Sequence, residues 1–128
     1  MEKKHILLVD DDPMILKFTS ANLRARGYEV SMAEDGESAL KMVRESAPDL
    51  VILDILMPEM DGFEVCRRLR EWSPVPILVL TAIGETNARW QLLQLGANDY
   101  MAKPFDIAEL LKRVHRLLKA DPSHQNLN

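Results

Sequence analysis

The run Ile6-Leu7-Leu8-Val9-Asp10-Asp11-Asp12-Pro13 changes character twice within a few residues. Four consecutive branched apolar residues suit a strand buried on both faces, the condition of a parallel sheet covered by helices on each side. Three carboxylates follow at once. The last of them, with the proline behind it, reads as a helix N-cap and a first helical residue. The stretch therefore predicts a strand, an acidic turn and a helix in immediate succession.

The same grammar recurs along the chain. Leu50-Val51-Ile52-Leu53 precedes Asp54, Ile77-Leu78-Val79-Leu80 precedes Thr81, and Tyr100-Met101-Ala102 precedes Lys103. Glu29 to Ala33 alternates polar and apolar residues, which suits a strand nearer an edge. Helical spacing fills the gaps. From Pro13, residues Ile15, Leu16, Thr19 and Leu23 share a face, and Gly27 stops the helix. Gly36 to Ser46 carries Ala39, Leu40 and Val43. Asp61 to Glu71 carries Val65, Cys66 and Leu69. Glu85 to Leu95 carries Ala88, Leu92 and Leu95, with Gly96 as its stop. The last helix opens on a capping-box-like Asp106 and Glu109. It continues as a stripe of Ile107, Leu110, Leu111, Val114, Leu117 and Leu118 opposite Lys112, Arg113, Arg116 and Lys119. Five alternations of strand and helix predict one α/β domain built on a doubly wound parallel sheet with right-handed crossovers.

Composition narrows the function. The 128 residues are 47% hydrophobic and 28% charged, as for a globular domain with a substantial core. The apolar run near the N-terminus is too short for a signal peptide or a membrane span. The single cysteine, Cys66, excludes an internal disulfide and reads as a small buried hydrophobe. The expected setting is the cytoplasm. A net charge of -4 argues against this domain gripping a nucleic-acid backbone by itself. The polar residues 121–128 read as a tail or the start of a linker, leaving 1–120 as the domain.

In open parallel sheets, ligands bind beyond the carboxyl ends of the strands. Those ends here are Asp10-Asp11-Asp12, Asp54, Thr81 and Lys103. Singly, each has a plainer reading: a helix cap for Asp12, a turn former for Asp54, β-propensity for Thr81, a solvated amine for Lys103. Jointly they deliver acids, a hydroxyl and an amine to one edge. Like charges about 4 Å apart repel by about 4 kcal/mol at an effective dielectric of about 20, so the acids call for protonation or a cation. With only oxygen donors and no clustered His or Cys, the matching cation is Mg²⁺. Carboxylate, cation, hydroxyl and lysine together suit phosphoryl chemistry.

At this point the chain resembles the receiver domains of bacterial two-component response regulators, the CheY-like family. The resemblance spans roughly residues 4–120. It is carried by the opening run quoted above, by Leu53-Asp54-Ile55-Leu56-Met57-Pro58-Glu59-Met60-Asp61-Gly62, by Leu80-Thr81-Ala82 and by Tyr100-Met101-Ala102-Lys103-Pro104-Phe105. It implies a flavodoxin-like five-stranded parallel sheet of order 2-1-3-4-5 with five helices. It implies Asp54 as the phosphoacceptor, which takes the phosphoryl group from a histidine kinase. Asp10, Asp11, Asp54 and the Leu56 carbonyl would hold Mg²⁺. Lys103 and Thr81, with the backbone of Ile55 and Ala82, would hold the phosphoryl oxygens, and Thr81 and Tyr100 would form the switch. The Lys103-Pro104 bond would be cis. Such a domain modifies itself and is not a turnover enzyme.

The resemblance also implies a signalling face on the fourth helix, fifth strand and fifth helix. In the winged-helix class of regulators this face forms a homodimer, and the matching charges here are Arg89 with Glu109 and Asp99 with Arg113. Asn98 departs from that class, which often carries an acid there to meet Arg116. A solvated helix face is the plainer alternative for these charges, and a half-buried strand aromatic is the plainer alternative for Tyr100. Leu56 and Ile83, both apolar beside the expected path of attacking water, imply slow loss of the phosphoryl group. Trp90 is either an exposed anchor or a core residue. No output domain is read here, so a stand-alone receiver and the front part of a longer regulator both fit, with no membrane or nucleic-acid contact by this domain.

Three other functions fit these residues less well. A haloacid-dehalogenase-like phosphatase would use Asp10 to Asp12 as its D-x-D motif, but it needs a later Gly-Asp motif and leaves Asp54 without a role. An FMN carrier would find its phosphate repelled by Asp10-Asp11-Asp12. An adaptor-type receiver, never phosphorylated and acting by protein binding, ordinarily loses one of the key residues, and all are present here.

Overall fold

The computed structural model describes residues 3–57, 60–82 and 91–119. The strands are β1 (His5–Val9), β2 (Glu29–Ala33), β3 (Leu50–Asp54), β4 (Ile77–Thr81) and β5 (Asp99–Ala102). Between and after them run α1 (Pro13–Ala25), α2 (Gly36–Ser46), α3 (Gly62–Trp72), the helical residues 91–94 (α4) and α5 (Ile107–Lys119). All strands are parallel and ordered β2-β1-β3-β4-β5. The expected fold class and strand order are those observed.

Alternation within each strand splits the core in two. Leu7 and Val9, Val51 and Leu53, and Ile77 and Val79 face α2, α3 and α4, where they meet Ala39, Leu40, Val43, Val65, Cys66, Leu69 and Leu92. Ile6 and Leu8, Leu50 and Ile52, and Leu78 and Leu80 face the other way, against Leu16 and Leu23 of α1 and Leu110, Leu111 and Val114 of α5. Central strands β3 and β4 are buried throughout, while β2 and β5 at the edges are partly exposed. Continuous apolar runs therefore occupy the middle of the sheet and the alternating run an edge.

Aspartates start the helices. The Oδ1 atoms of Asp12, Asp35, Asp61 and Asp106 accept from the amides of Met14, Ser38, Glu64 and Ala108 at 2.9, 2.8, 3.0 and 2.9 Å. Each satisfies an amide that the first helical turn leaves open. The sequence pattern marked Asp12 and Asp106 but not Asp35, and it began α3 at Asp61, which is the cap preceding the helix. The capping-box expectation is also modified, because Glu109 Oε2 accepts from Arg113 Nε at 3.0 Å. Gly27 and Gly96 follow α1 and α4 with φ of +92° and +99°, the left-handed conformation expected of helix stops. Ile83, Ala88, Arg89, Trp90 and the tail 121–128 lie outside the described residues.

Candidate functional site

Strand register assembles the site. Val9 is level with Leu53, so Asp10 leaves β1 beside Asp54, the last residue of β3. Thr81, the last residue of β4, is level with Ala102, so Lys103 emerges from β5 one step on. Parallel strands in matched register end at one edge, and the residues that follow four apolar runs converge there.

Asp10 and Asp54 are 1% and 4% exposed, while Asp11 is open to solvent. Lys103 Nζ lies 2.8 Å from Asp10 Oδ2 and 3.3 Å from Asp54 Oδ2. The Asp12 amide donates to Asp10 Oδ1 at 2.9 Å, so protein donors engage both oxygens of Asp10. The Leu56 amide donates to Asp54 Oδ1 at 3.2 Å. Protein donors thus engage both oxygens of Asp10 and, through a longer Lys103 contact, both oxygens of Asp54, while Asp11 faces solvent.

Electrostatics set Asp54 apart. Burial first, and the neighbouring Asp10 charge second, raise its pKa; Lys103 and the Leu56 amide oppose the rise without cancelling it. Burial alone would lower the Lys103 pKa, but its hydrogen bond to Asp10 and the charges of Asp10 and Asp54 outweigh that and leave it raised. Lys103 therefore stays an ammonium at neutral pH. Three carboxyl groups share this edge with one ammonium, a formal excess of acid.

That excess fits a hard divalent cation. Asp10, Asp11 and Asp54 can each offer one oxygen, with all three oxygens within 4.8 Å of one another. An all-oxygen donor set in which one acid faces solvent suits Mg²⁺, which retains waters and takes few carboxylates.

Other residues shape the surroundings. The Gly62 amide donates to the Ile55 carbonyl at 2.9 Å. A Cβ at Gly62 would stand 2.7 Å from Ile55 Cα and 2.8 Å from the Asp54 carbonyl oxygen, so only glycine lets α3 press against the loop after Asp54. Gly62 lay inside a quoted motif, but periodicity gave it no role. Thr81 is fully buried. It shares a sheet face with Tyr100, since Tyr100 is level with Val79, two residues before Thr81. Ile55 is buried, Leu56 is 51% exposed and Ala82 is exposed. The Lys103-Pro104 bond is cis, as expected.

Other residues singled out by the sequence make contacts within the chain. Arg113 contacts both Asp99 and Glu109 of its own chain at 3.0 Å. Asn98 Oδ1 accepts from Arg70 Nη2 and from the Ile77 amide, each at 2.9 Å. Arg70, to which the sequence pattern gave no role, also donates to the Gly96 and Ser73 carbonyls at 2.9 and 3.0 Å. His5 meets Ser31 and is not near the acids. Burial pushes the Cys66 thiol up to about 11, as for an inert core residue.

A doubly wound parallel sheet that gathers two buried acids, an open acid and a lysine at its carboxyl edge defines the class of protein. The chain belongs to the response regulator receiver domain family, whose model matches residues 6–115. It is 44% identical over 117 residues to the DNA-binding dual master transcriptional regulator RpaA of Synechocystis, covering 89% of this chain and 48% of that protein. It is 44% identical over 130 residues to the alkaline phosphatase synthesis transcriptional regulatory protein PhoP of Bacillus subtilis, covering 98% and 54%. The chain thus spans about half the length of the curated relatives it matches. Among solved structures, the BeF3-activated N-terminal receiver domain of Klebsiella pneumoniae RstA matches with a TM-score of 0.87 at 33% identity, covering 91% of this chain and all of that one. Among the described residues, no helix is long and apolar enough to cross a membrane.

Proposed function

We propose that the chain is the phosphoacceptor module of a two-component response regulator, with Asp54 as the residue modified. The observation that carries this is the convergence of Asp10, Asp11, Asp54 and Lys103 at ligand distance on one sheet edge. Asp54 attacks the phosphorus of a kinase phosphohistidine in line. A P–O bond forms, the P–N bond breaks, and the imidazole keeps the electron pair and takes a proton. Lys103, held by Asp10, is placed to follow the phosphoryl oxygens as Asp54 becomes an acyl phosphate. Thr81 and the Ala82 amide would supply further donors, whereas the Ile55 amide, also expected to do so, already donates to the Leu80 carbonyl at 3.3 Å. Asp10, Asp11, Asp54 and the Leu56 carbonyl would hold Mg²⁺, which when bound would supply charge neutralisation on the transferring group. One such event per domain makes this a switch and not a turnover enzyme.

The output reading rests on shared faces and on the relatives. Movement of Thr81 toward the new charge frees the volume beside it for Tyr100, which lies on the same face, and this biases the α4-β5-α5 surface. A homodimer on that surface would use Asp99, Glu109 and Arg113, with Arg89 outside the described residues. The relatives' length and names support a DNA-binding output in a longer protein, with residues 1–120 as the receiver and 121–128 as tail or linker; the winged-helix class and a cytoplasmic setting belong to the resemblance. The kinase side is supported by exposed Met14 and Phe18, one turn apart on α1, and by exposed Leu56 beside Asp54.

Intact mass after incubation with acetyl phosphate tests the proposal. The expected result is a single Mg²⁺-dependent phosphoryl adduct on the wild-type chain and none on Asp54→Asn. An unmodified wild type, in conditions where a histidine kinase also fails to label it, would turn the reading to an adaptor that acts by binding alone.

A further inference from the structure

The outer edge of β5 is closed by the protein's own side chains. The Lys103 amide donates to the Thr81 carbonyl, so the backbone groups of Lys103 point toward β4. Backbone direction alternates along a strand, and Tyr100, out of phase with Lys103, points its amide and carbonyl away from the sheet. Both groups are nevertheless satisfied. The Tyr100 amide donates to Asp99 Oδ1 at 2.8 Å, and the Tyr100 carbonyl accepts from Arg113 Nη1 at 2.8 Å. Arg113 Nη1 and Asp99 Oδ1 are themselves 3.0 Å apart, and Glu109 Oε2 holds Arg113 Nε at 3.0 Å.

These contacts form a closed ring. An acid supplies the acceptor and a guanidinium the donor that a sixth strand would have offered. The opposite edge has a simpler form of the device: Arg24 Nη2 of α1 donates to the outward carbonyl of Val30 in β2 at 3.1 Å. There a helix arginine covers one carbonyl. At β5 the ring covers both polar groups of one residue and ties that residue to α5.

We infer that the Asp99–Arg113 pair is a latch joining the Tyr100 backbone to α5, so that displacement of Tyr100 is passed to the helix through one guanidinium. With the ring closed, the sheet ends at β5 and α5 follows that strand. With the ring open, Tyr100 presents an amide and a carbonyl to solvent and α5 is released from it. The resting half of this inference stands on the contacts alone. The transmission half rests on the switch reading proposed above.

Backbone amide exchange and chemical shifts of the full chain, followed by NMR, test both halves. In Asp99→Ala, Tyr100 amide exchange is expected to rise roughly fivefold, the equivalent of one net hydrogen bond, and in Arg113→Met, where Asp99 loses its guanidinium, to rise by less, with the amides of Leu78 to Leu80 unchanged in both. Unchanged Tyr100 exchange in both variants would overturn the latch. Should a variant fail to fold, the wild-type Arg113 side chain decides: a distinct, slowly exchanging guanidinium signal supports the ring, and a freely averaged one overturns it. On addition of Mg²⁺ and beryllofluoride, a phosphoryl mimic, shifts are expected in β5 of wild type and Arg113→Met alike, but in residues 112–116 of the wild type only. Equal α5 responses would overturn transmission. A wild type with no response anywhere would count against the phosphoacceptor reading, and the resting exchange rates would still decide the latch.

Discussion

Asp54 carries a conflict between burial and charge. Its carboxylate is almost inaccessible and sits beside Asp10, and Lys103 does not fully compensate. A carboxyl whose folded pKa is raised binds more protons in the native state than in the unfolded one. Ionising it costs stability as pH rises from the ordinary carboxylate value through the raised one, and that loss persists at neutral pH. Asp54→Asn is therefore expected to raise the Tm at pH 7 in Mg²⁺-free buffer, with the difference shrinking as pH falls through the raised pKa. A bound cation relieves the same conflict. At ten times its Kd, Mg²⁺ is expected to stabilise the wild type by about 1.4 kcal/mol and the variant by much less. Thermal melts across pH and Mg²⁺ concentration check both, and a variant less stable than wild type without Mg²⁺ would contradict the charge account.

At the scale of elements, the two ends of the sheet differ. The carboxyl end holds groups with capacity for a ligand. The amino end is tied by Arg70, which joins the last turn of α3 to the segment between α4 and β5. Its partner Asn98 also satisfies the Ile77 amide at the start of β4. This local duty accounts for an amide at position 98, where a cross-dimer acid was the alternative. Arg70→Met removes the donor to the Gly96 carbonyl and leaves Asn98 with the Ile77 amide alone, and is expected to cost about 0.5–1.5 kcal/mol in chemical denaturation. The exposed pairs of α3 are a contrast. Glu64 is held down to about 2 by Arg67 and Arg68, yet it lies at the surface, where such pairs contribute little to stability.

At the scale of the whole molecule, association has to compete with the intrachain ring. Asp99 and Arg113 are already paired within one chain, and a two-fold dimer using them would exchange those contacts without adding an ion pair. The resting chain is therefore expected to sediment as a monomer. Activation with beryllofluoride is expected to produce a dimer that Arg113→Met cannot form. A fully phosphorylated chain that stays monomeric at tens of micromolar would retire this dimer face and leave the acceptor chemistry untouched.

Much of this was legible in the linear chain because its causes are local. Apolar runs of strand length, helical spacing, Asp12-Pro13 and the glycine stops depend on neighbours within a turn or two, and they fixed the order of elements and the residues at each strand end. The resemblance supplied the strand order and the roles, which no spacing alone could. Other features depend on groups far apart in sequence meeting in space. The register that levels Asp10 with Asp54, the anchoring of Lys103 by both, the approach that makes Gly62 obligatory, the Arg70 tie and the ring around Tyr100 join residues up to 93 positions apart. A side chain's partner is set by how whole elements pack, and its chemical type alone did not tell whether Arg113 would face a second molecule or close the edge of its own sheet.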